Sequence, residues 1–229
     1  MHVNRFVYFL GSGSKYNDDE LRYSIRSVLK FHPDAQITVI GERPEWYSGE
    51  HHYVADSHNC AYVNKWRKIE TACWLYDSFY AMDDDFFLMK PIQPVFYYSG
   101  KLARKAKTYK SEVGKYANMV IATCAITPGA NNYFMHAPLP INSDEFIHIS
   151  QQYPARLESP GLSARQIYAT QSTLFESVEI QSDVKIHGKF DASKIAELPF
   201  FSIHNNFCYL TDMMESLYPT PSPNERDRG

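Results

Sequence analysis

The sequence lacks the signatures of several common protein classes. Its four cysteines are far apart and form no C-x-x-C pair, whereas a structural zinc site usually shows paired short spacings. No apolar run is long enough to span a bilayer, and the segment Met1 to Leu10 is too short and too polar at its head for a signal peptide. We therefore expect free thiols in a reducing compartment and a cytoplasmic protein.

An excess of one charge is also missing, as are several nucleotide-binding and hydrolase motifs. The formal net charge is -3, so the overall balance indicates no nucleic-acid partner. The loop at Gly11, Ser12 and Gly13 has Tyr16 where the dinucleotide fingerprint needs its third glycine, and no P-loop lysine follows. No G-x-S-x-G elbow of a serine hydrolase is present. What remains is a glycine loop whose backbone N–H groups are candidates to approach a nucleotide.

The first part of the chain alternates apolar runs with an amphipathic segment. Phe6 to Leu10 and Gln36 to Ile40 predict buried strands. Between them, a helix capped by Asp18 or Asp19 carries an apolar stripe and stops at His32-Pro33. This order predicts a βαβ unit and therefore a parallel sheet.

Further segments extend this α/β pattern. Asn64 is a candidate cap for a second helix. Three more strands are predicted, at Ser78 to Met82, Val120 to Ile126 and Phe200 to Ile203. We predict one α/β domain over residues 1–218, with a mostly parallel central sheet flanked by helices, and a flexible Pro-rich tail over 219–229.

Three adjacent carboxylates, Asp83, Asp84 and Asp85, follow the predicted strand Ser78 to Met82 directly. Like charges at a strand end repel one another unless a positive charge compensates them. A divalent cation does so, and hard carboxylate oxygens suit Mg²⁺ or Mn²⁺. Open α/β sheets bind ligands beyond the carboxyl ends of their strands. We predict a metal site, with a solvated acidic turn as the alternative.

Four residues on the two predicted helices are candidates for holding a phosphate. Arg22 and Arg26 are four apart and share a helix face, where the alternative is pairing with nearby carboxylates. Asn64 and Lys65 open the second helix, and a helix N-terminus with nearby cations can hold an anion. The alternative is that Lys65 is simply exposed.

Two histidines are candidates for a general base or a metal ligand, because histidine changes its charge near neutral pH. They are His136, before Ala137-Pro138, and His204, after a predicted strand. A structural role is the alternative for each.

A basic stretch without an assigned role lies in the middle of the chain. Its members are Lys101, Arg104, Lys105, Lys107, Lys110 and Lys115. Lysines and arginines that contact phosphates dominate binding to nucleic acids. This stretch is therefore a candidate nucleic-acid contact, and a solvated loop is the alternative.

Several segments together resemble the Stealth family of sugar-phosphate transferases and its compact, glycosyltransferase-like relatives in phages and bacteria. The resemblance is carried by Asp19-Glu20-Leu21-Arg22-Tyr23-Ser24-Ile25-Arg26-Ser27, Arg43-Pro44-Glu45-Trp46, Phe79 to Leu88, His136-Ala137-Pro138 and Phe200 to Asn206. The match is specific in the first half and thin beyond Tyr98. The family's late Asn-Asp pair is Asn205-Asn206 here, which leaves phosphoryl and glycosyl transfer both open.

This resemblance implies a GT-A-like, Rossmann-like fold in which the acidic motif holds a metal on the donor diphosphate. Asp83 and Asp85 would be the metal ligands, and Arg22 and Arg26 would serve the phosphates. The resemblance also implies Asp84, Asp85, His136, Arg165 and His204 as active-site candidates. The setting would be the cytosol of a bacterium or of a phage-infected host.

We expect a metal-dependent glycosyltransferase that moves a sugar from a nucleotide-sugar, UDP-sugar above all, onto an acceptor hydroxyl. The acceptor is expected to be a glycan or hydroxymethylated DNA; the basic stretch from Lys101 to Lys115 would contact the DNA, and a solvated loop is the alternative for it. Two alternatives stay open: transfer of a hexose 1-phosphate, and a non-catalytic nucleic-acid-binding module.

Overall fold

Five strands form the central sheet of the computed structural model, which describes residues 3–11, 16–180, 185–186, 195, 197–204 and 210–226. The strands are β1 (Arg5–Leu10), β2 (Gln36–Gly41), β3 (Glu50–His52), β4 (Ser78–Met82) and β7 (Leu139–Asn142). Their spatial order is β3, β2, β1, β4, β7. All neighbouring pairs are parallel except β7, which runs antiparallel to β4. The predicted α/β class with a mostly parallel central sheet is confirmed.

The α-helices in the described ranges are α1 (Asp19–Phe31), α2 (Ala61–Leu75), α3 (Leu102–Thr108), α4 (Lys115–Ile126), α5 (Ser143–Gln151), α6 (Ala164–Gln171) and α7 (Thr211–Leu217). Helix α1 packs on one face of the central sheet, and α2, α5 and α6 pack on the other. Side chains alternate along β1. Phe6 and Tyr8 pack in one apolar cluster with Leu21 of α1, whereas Val7 packs in a second cluster with Trp66 of α2. The core therefore consists of two apolar layers separated by the sheet.

Two smaller sheets lie outside the central one. Strands β5 (Phe86–Leu88), β10 (Phe200–Ile203) and β9 (Lys185–Ile186) form one of them, and β6 (Phe96–Tyr98) pairs with β8 (Ser177–Glu179) in the other. Side chains of β5 also alternate. Phe86 and Leu88 join the cluster with α1, and Phe87 stacks on Phe201 at a ring distance of 5.1 Å. Strand β5 thereby links the small sheet to the central core.

Most of the elements predicted from the sequence are confirmed. Strands β1, β2, β4 and β10 and helix α1 lie where the apolar patterns placed them. None of the helices in the described ranges is both long enough and apolar enough to cross a membrane. Cys60, Cys73 and Cys124 are free thiols, and Cys208 lies outside the described residues.

Two local predictions were wrong. The segment Val120 to Ile126 is not a strand but the later part of α4, where Ala117, Val120 and Thr123 are buried at helical spacing. A short apolar run does not by itself distinguish a strand from a buried helix. Asn64 does not cap α2, because the helix begins three residues earlier with Cys60 at the cap position. The Asn64 side chain instead bonds both the N–H and the carbonyl of His58.

The C-terminal segment, residues 219–226, lies against α1 although its composition predicts flexibility. Glu225 pairs in a bridge with Tyr47, and the Arg226 N–H donates to the Trp46 carbonyl at 2.8 Å. The Glu225 carboxylate accepts hydrogen bonds from Arg26 at 2.8 Å and from Arg22 at 2.9 Å. The Glu225 side chain is 5% exposed, and the side chains of Arg22 and Arg26 are 3% and 8% exposed, respectively. This segment therefore anchors α1 by buried ion pairs.

The charge of Glu225 is stabilised in spite of its burial. Burial alone would raise its pKa, but hydrogen bonds from Arg26, from the Ser222 N–H and from Arg22 lower the pKa to about 2. A depressed pKa means that the ionised form contributes stability. That contribution is complete above the ordinary value of 4.5 and is lost as the pH falls toward 2.

Glu225→Gln should lower the free energy of unfolding at neutral pH by about 3 kcal/mol, because two buried guanidinium groups lose the buried carboxylate that they share. The acid dependence of stability between the ordinary pKa and pH 2 should become flatter as well. Urea unfolding at several pH values measures both effects. Glu197→Gln, whose side chain is 94% exposed, is the control and should change neither. An unchanged unfolding midpoint for Glu225→Gln would contradict the anchoring role.

Candidate functional site

The order of the strands in the central sheet reverses its direction between β1 and β4. Strand β2 lies on one side of β1 and β4 lies on the other, so the crevice at their carboxyl ends is a topological switch point. Ligands of open α/β sheets bind at such a point. Strand β1 leads there into Gly11, which is exposed, and β4 leads into Asp83. Ser12 and Gly13 lie outside the described residues.

An acidic cleft lies at the carboxyl end of β4. Its described lining residues are Glu20, Asp83, Asp84, Asp85, His136, Lys185, Ile203 and His204. Four of these carry carboxyl groups and one carries an ammonium group, so the cleft favours a cationic ligand. Its volume of about 350 Å³ lies within the range of small-molecule sites, about 300–1,000 Å³.

Lysines compensate two of the three aspartates. Lys65, on α2, donates to Asp83, and Lys185 of β9 donates to Asp85 at 3.1 Å. Burial raises the pKa of Asp83, but Lys65 and Arg165 outweigh it, so the pKa lies below its ordinary value. For Asp85, burial and the charge of Asp83 outweigh Lys185, and the pKa is raised.

The negative charges of Asp84 and Glu20 are less fully compensated by lysines than those of Asp83 and Asp85. Burial, followed by the charges of Asp85, Asp83 and Glu20, raises the pKa of Asp84 to about 7. Burial and the charge of Asp85 raise the pKa of Glu20 to about 7 as well. Carboxyl groups with strongly raised pKa values in a cleft are typical of functional sites, and of active sites above all.

Two candidates, His136 and Arg165, lie around the ring of Phe86. The His136 ring meets that of Phe86 edge-on at 6.1 Å, and the Arg165 guanidinium lies 5.7 Å from the Phe86 ring centre. Lys65, Arg165 and His136 also line a second cavity, which the cleft adjoins at Asp83 and His136. The structure thus brings together seven of the candidates: Asp83, Asp84, Asp85, Lys65, His136, Arg165 and His204.

The structure does not bring Arg22, Arg26 or Asn64 into this site. Both arginines are buried on α1 and paired with Glu225, and Arg22 also donates to Asp19 at 3.0 Å. The expectation that they serve phosphates therefore has no support in the geometry, and pairing with carboxylates, the alternative, is what the structure shows. Asn64 is occupied by the backbone of His58.

Two charged residues of the cleft, Glu20 and Lys185, were not predicted from the sequence. Glu20 belongs to the first turn of α1, which faces the end of β4, so its position after the β1 loop was the available signal. Lys185 belongs to a two-residue strand outside any motif, and no sequence signal indicates its role.

The residues present suit a divalent cation whose coordination shell is completed by a substrate. Within the described ranges, no group of three or more His, Cys, Asp or Glu side chains is arranged to hold a metal by itself. Mg²⁺ is commonly bound through one or two carboxylates, waters and substrate phosphates rather than by a complete protein cage. Asp83 and Asp85, next to Asp84 in a negative cleft, provide carboxylates of this kind.

No protein-family model and no curated protein matches this chain. The resemblance to the Stealth family therefore stays a prediction.

Asp84→Asn should stabilise the fold at neutral pH, by roughly 1–2 kcal/mol, because it removes one of several neighbouring half-buried carboxylates. Residues held for function often destabilise the fold that contains them. Thermal unfolding measures the shift, and Asp34→Asn, at an exposed turn, is the control. A lower melting temperature for Asp84→Asn would show that the carboxylate is structural.

Proposed function

We propose that the chain is a metal-dependent glycosyltransferase with a GT-A-like arrangement, which moves a sugar from a nucleotide-sugar, expected to be a UDP-sugar, onto an acceptor hydroxyl. The observation that carries this proposal is the acidic cleft at the switch point between β1 and β4. A plain acidic surface turn does not account for three aspartates that line one cavity with Glu20, Lys185 and two histidines, while Lys65 pairs with Asp83 beside it.

Asp83 and Asp85 would hold Mn²⁺ or Mg²⁺ together with the donor diphosphate. When bound, the metal supplies charge stabilisation for the leaving diphosphate. Lys65 and Lys185 now neutralise these two aspartates. Lys65 and Lys185 would also supply fixed positive charge near the donor phosphates, which lowers the barrier to departure of the leaving group. Arg165, whose charge acts on Asp83, adds to this field.

His136 is the base that we propose for the acceptor. It lines both the cleft and the second cavity, so it stands between a donor in one and an acceptor in the other. During transfer, the acceptor oxygen bonds to the anomeric carbon, and the bond from that carbon to the phosphate oxygen breaks. The diphosphate leaves with the electron pair, and the hydroxyl proton passes to the imidazole. His204, at the exposed side of the cleft, is placed to orient the donor.

The test is incubation with UDP-, GDP- and CMP-sugars and Mn²⁺, with released nucleotide separated by chromatography. Release of a nucleoside diphosphate that EDTA abolishes is the expected result. Asp85→Asn should reduce the rate by at least about 10²-fold without loss of the fold, and Asp34→Asn should keep it. A monophosphate product from a UDP- or GDP-sugar would favour hexose 1-phosphate transfer. Full activity of Asp85→Asn would contradict the assignment of the metal ligands.

A further inference from the structure

A second cavity, here called the aromatic pocket, meets the acidic cleft at Asp83 and His136. It has a volume of about 180 Å³ and is the more enclosed of the two. A molecule that fills the aromatic pocket therefore presents an atom to the cleft beside these two residues. In a transferase whose donor occupies the cleft, this is the place of the acceptor.

The aromatic pocket has an apolar end and a charged end. At the apolar end, the Tyr116 ring lies 6.3 Å from those of Tyr62 and Phe134, with Met119 nearby. At the charged end, Lys65 and Arg165 act on Asp83, and Arg165 lies over Phe86. The best occupant has flat apolar faces and polar groups along one edge.

A nucleobase matches this division better than a hexose does. A hexose carries hydroxyl groups around most of its ring, and each one buried without a partner is unfavourable. The ring of a nucleobase has two apolar faces that stack on aromatic side chains, while its polar atoms lie on its edges. The rings of Tyr62, Tyr116 and Phe134 are suited to those faces, and the charged end is suited to the edge.

A basic groove shares a wall with the aromatic pocket. Its lining includes three cations of the basic stretch, Lys101, Arg104 and Lys105, and one carboxylate, Glu179, together with Tyr109, so positive charge is in excess. The Tyr109 ring lies 5.3 Å from that of Tyr116, and the Lys105 Nζ lies 5.4 Å from the centre of the Phe134 ring. The groove and the pocket are therefore separated only by side chains that line one or the other. A polyanion along the groove would pass directly beside the pocket.

From this continuity we infer that the acceptor is a hydroxyl-bearing base of a DNA strand, extruded into the aromatic pocket while the strand's phosphates follow the basic groove. The inference rests on the proposed function for the chemical step and on the groove and pocket for the acceptor. Enzymes that modify a base inside a duplex must bring it out of the stack, which is easiest for single-stranded or mispaired DNA. A hydroxymethyl group on the edge of the base would then reach the cleft at His136.

Transfer of the sugar to this hydroxymethyl group is chemically balanced with the nucleotide-sugar donor proposed above. The hydroxymethyl oxygen of the base forms a bond to the anomeric carbon, and the carbon–phosphate oxygen bond breaks. The nucleoside diphosphate leaves with the electron pair, and the proton of the hydroxyl group passes to His136. No oxidant or further co-reactant is needed.

Binding without donor tests the inference first. The probe is a fluorescent single-stranded oligonucleotide with one 5-hydroxymethylpyrimidine, titrated in EDTA at several salt concentrations. We expect tighter binding of this strand than of its perfectly paired duplex. In the duplex, a 2-aminopurine next to the modified base should brighten on binding, because extrusion of that base unstacks its neighbour. Binding of intact duplex without any fluorescence change would overturn extrusion.

Two variants separate the pocket from the groove. Tyr116→Ala, at a side chain 36% exposed, should weaken strand binding about 5- to 150-fold, the loss expected for one stacked base. Arg104→Ala should instead lower the slope of log affinity against log salt by about 0.7, the loss of one phosphate contact. Tyr53→Ala, at a residue 66% exposed, and Lys90→Ala are the matched controls and should change neither quantity. Wild-type binding by Tyr116→Ala, with an unchanged melting temperature, would overturn the base pocket.

Two further arms separate this inference from its rivals. The exposed apolar residues Val113, Ile121 and Ile126 lie in and beside the same basic region, so vesicles of anionic lipid are tested by sedimentation. Binding to vesicles but not to DNA would overturn the inference in favour of a membrane surface.

A second arm measures donor use. Donor consumption with a glycan acceptor and no strand binding would overturn the inference about DNA but support the proposed transferase activity. Tyr116-dependent strand binding with no use of any donor would contradict the transferase and leave the base pocket intact.

Discussion

Mutual repulsion among the carboxylates after β4 is the constraint around which the site is built. Asp83, Asp84 and Asp85 stand in one negative cleft with Glu20, and only two of the four have a lysine within hydrogen-bonding distance in the described part of the chain. Burial, together with the remaining charge, raises the pKa of Asp84 and of Glu20 to about 7, so their ionised forms are unfavourable to the fold. In the function that we propose, a cation that arrives with a substrate would relieve this repulsion and would couple substrate binding to the charge of the protein.

Helix α1 connects this cleft with the C-terminal segment. Its first turn supplies Glu20, and its buried arginines are paired with Glu225 of the C-terminal segment. Arg22 also lies 4.3 Å from the ring centre of Trp46, so the loop after β2 joins the same cluster. The ion pairs at residues 22, 26 and 225 therefore hold in place the helix that carries one wall of the cleft. They act on the site by positioning, without contact to a donor.

Local patterns in the sequence predicted α1 and three of the five central strands, β1, β2 and β4, because their apolar patterns are carried by residues such as Phe6, Leu21 and Phe79 that pack in the core. The strand predicted at Val120 failed since a short apolar run suits a buried helix equally well. The location of the acidic site followed from the rule for parallel sheets, given β4 and the aspartates after it. Asp19, one partner of Arg22, is three residues away, but Glu225, its other partner, is 203 residues away, and Lys185 is 100 residues from Asp85, so no local pattern contains the Arg22–Glu225 and Asp85–Lys185 pairings.

Binding of Mn²⁺ with and without a nucleoside diphosphate tests most directly whether the cleft is a site completed by its substrate. Electron paramagnetic resonance of free Mn²⁺ gives the affinity in each case. Because the protein alone offers only part of a coordination shell, we predict weak binding of the ion by itself. UDP should tighten this binding about 5- to 150-fold, the range of an ordinary coupling free energy, and Asp85→Asn should remove the effect. Equal Mn²⁺ affinity with and without nucleotide, over a panel of UDP, GDP and CDP, would contradict the account.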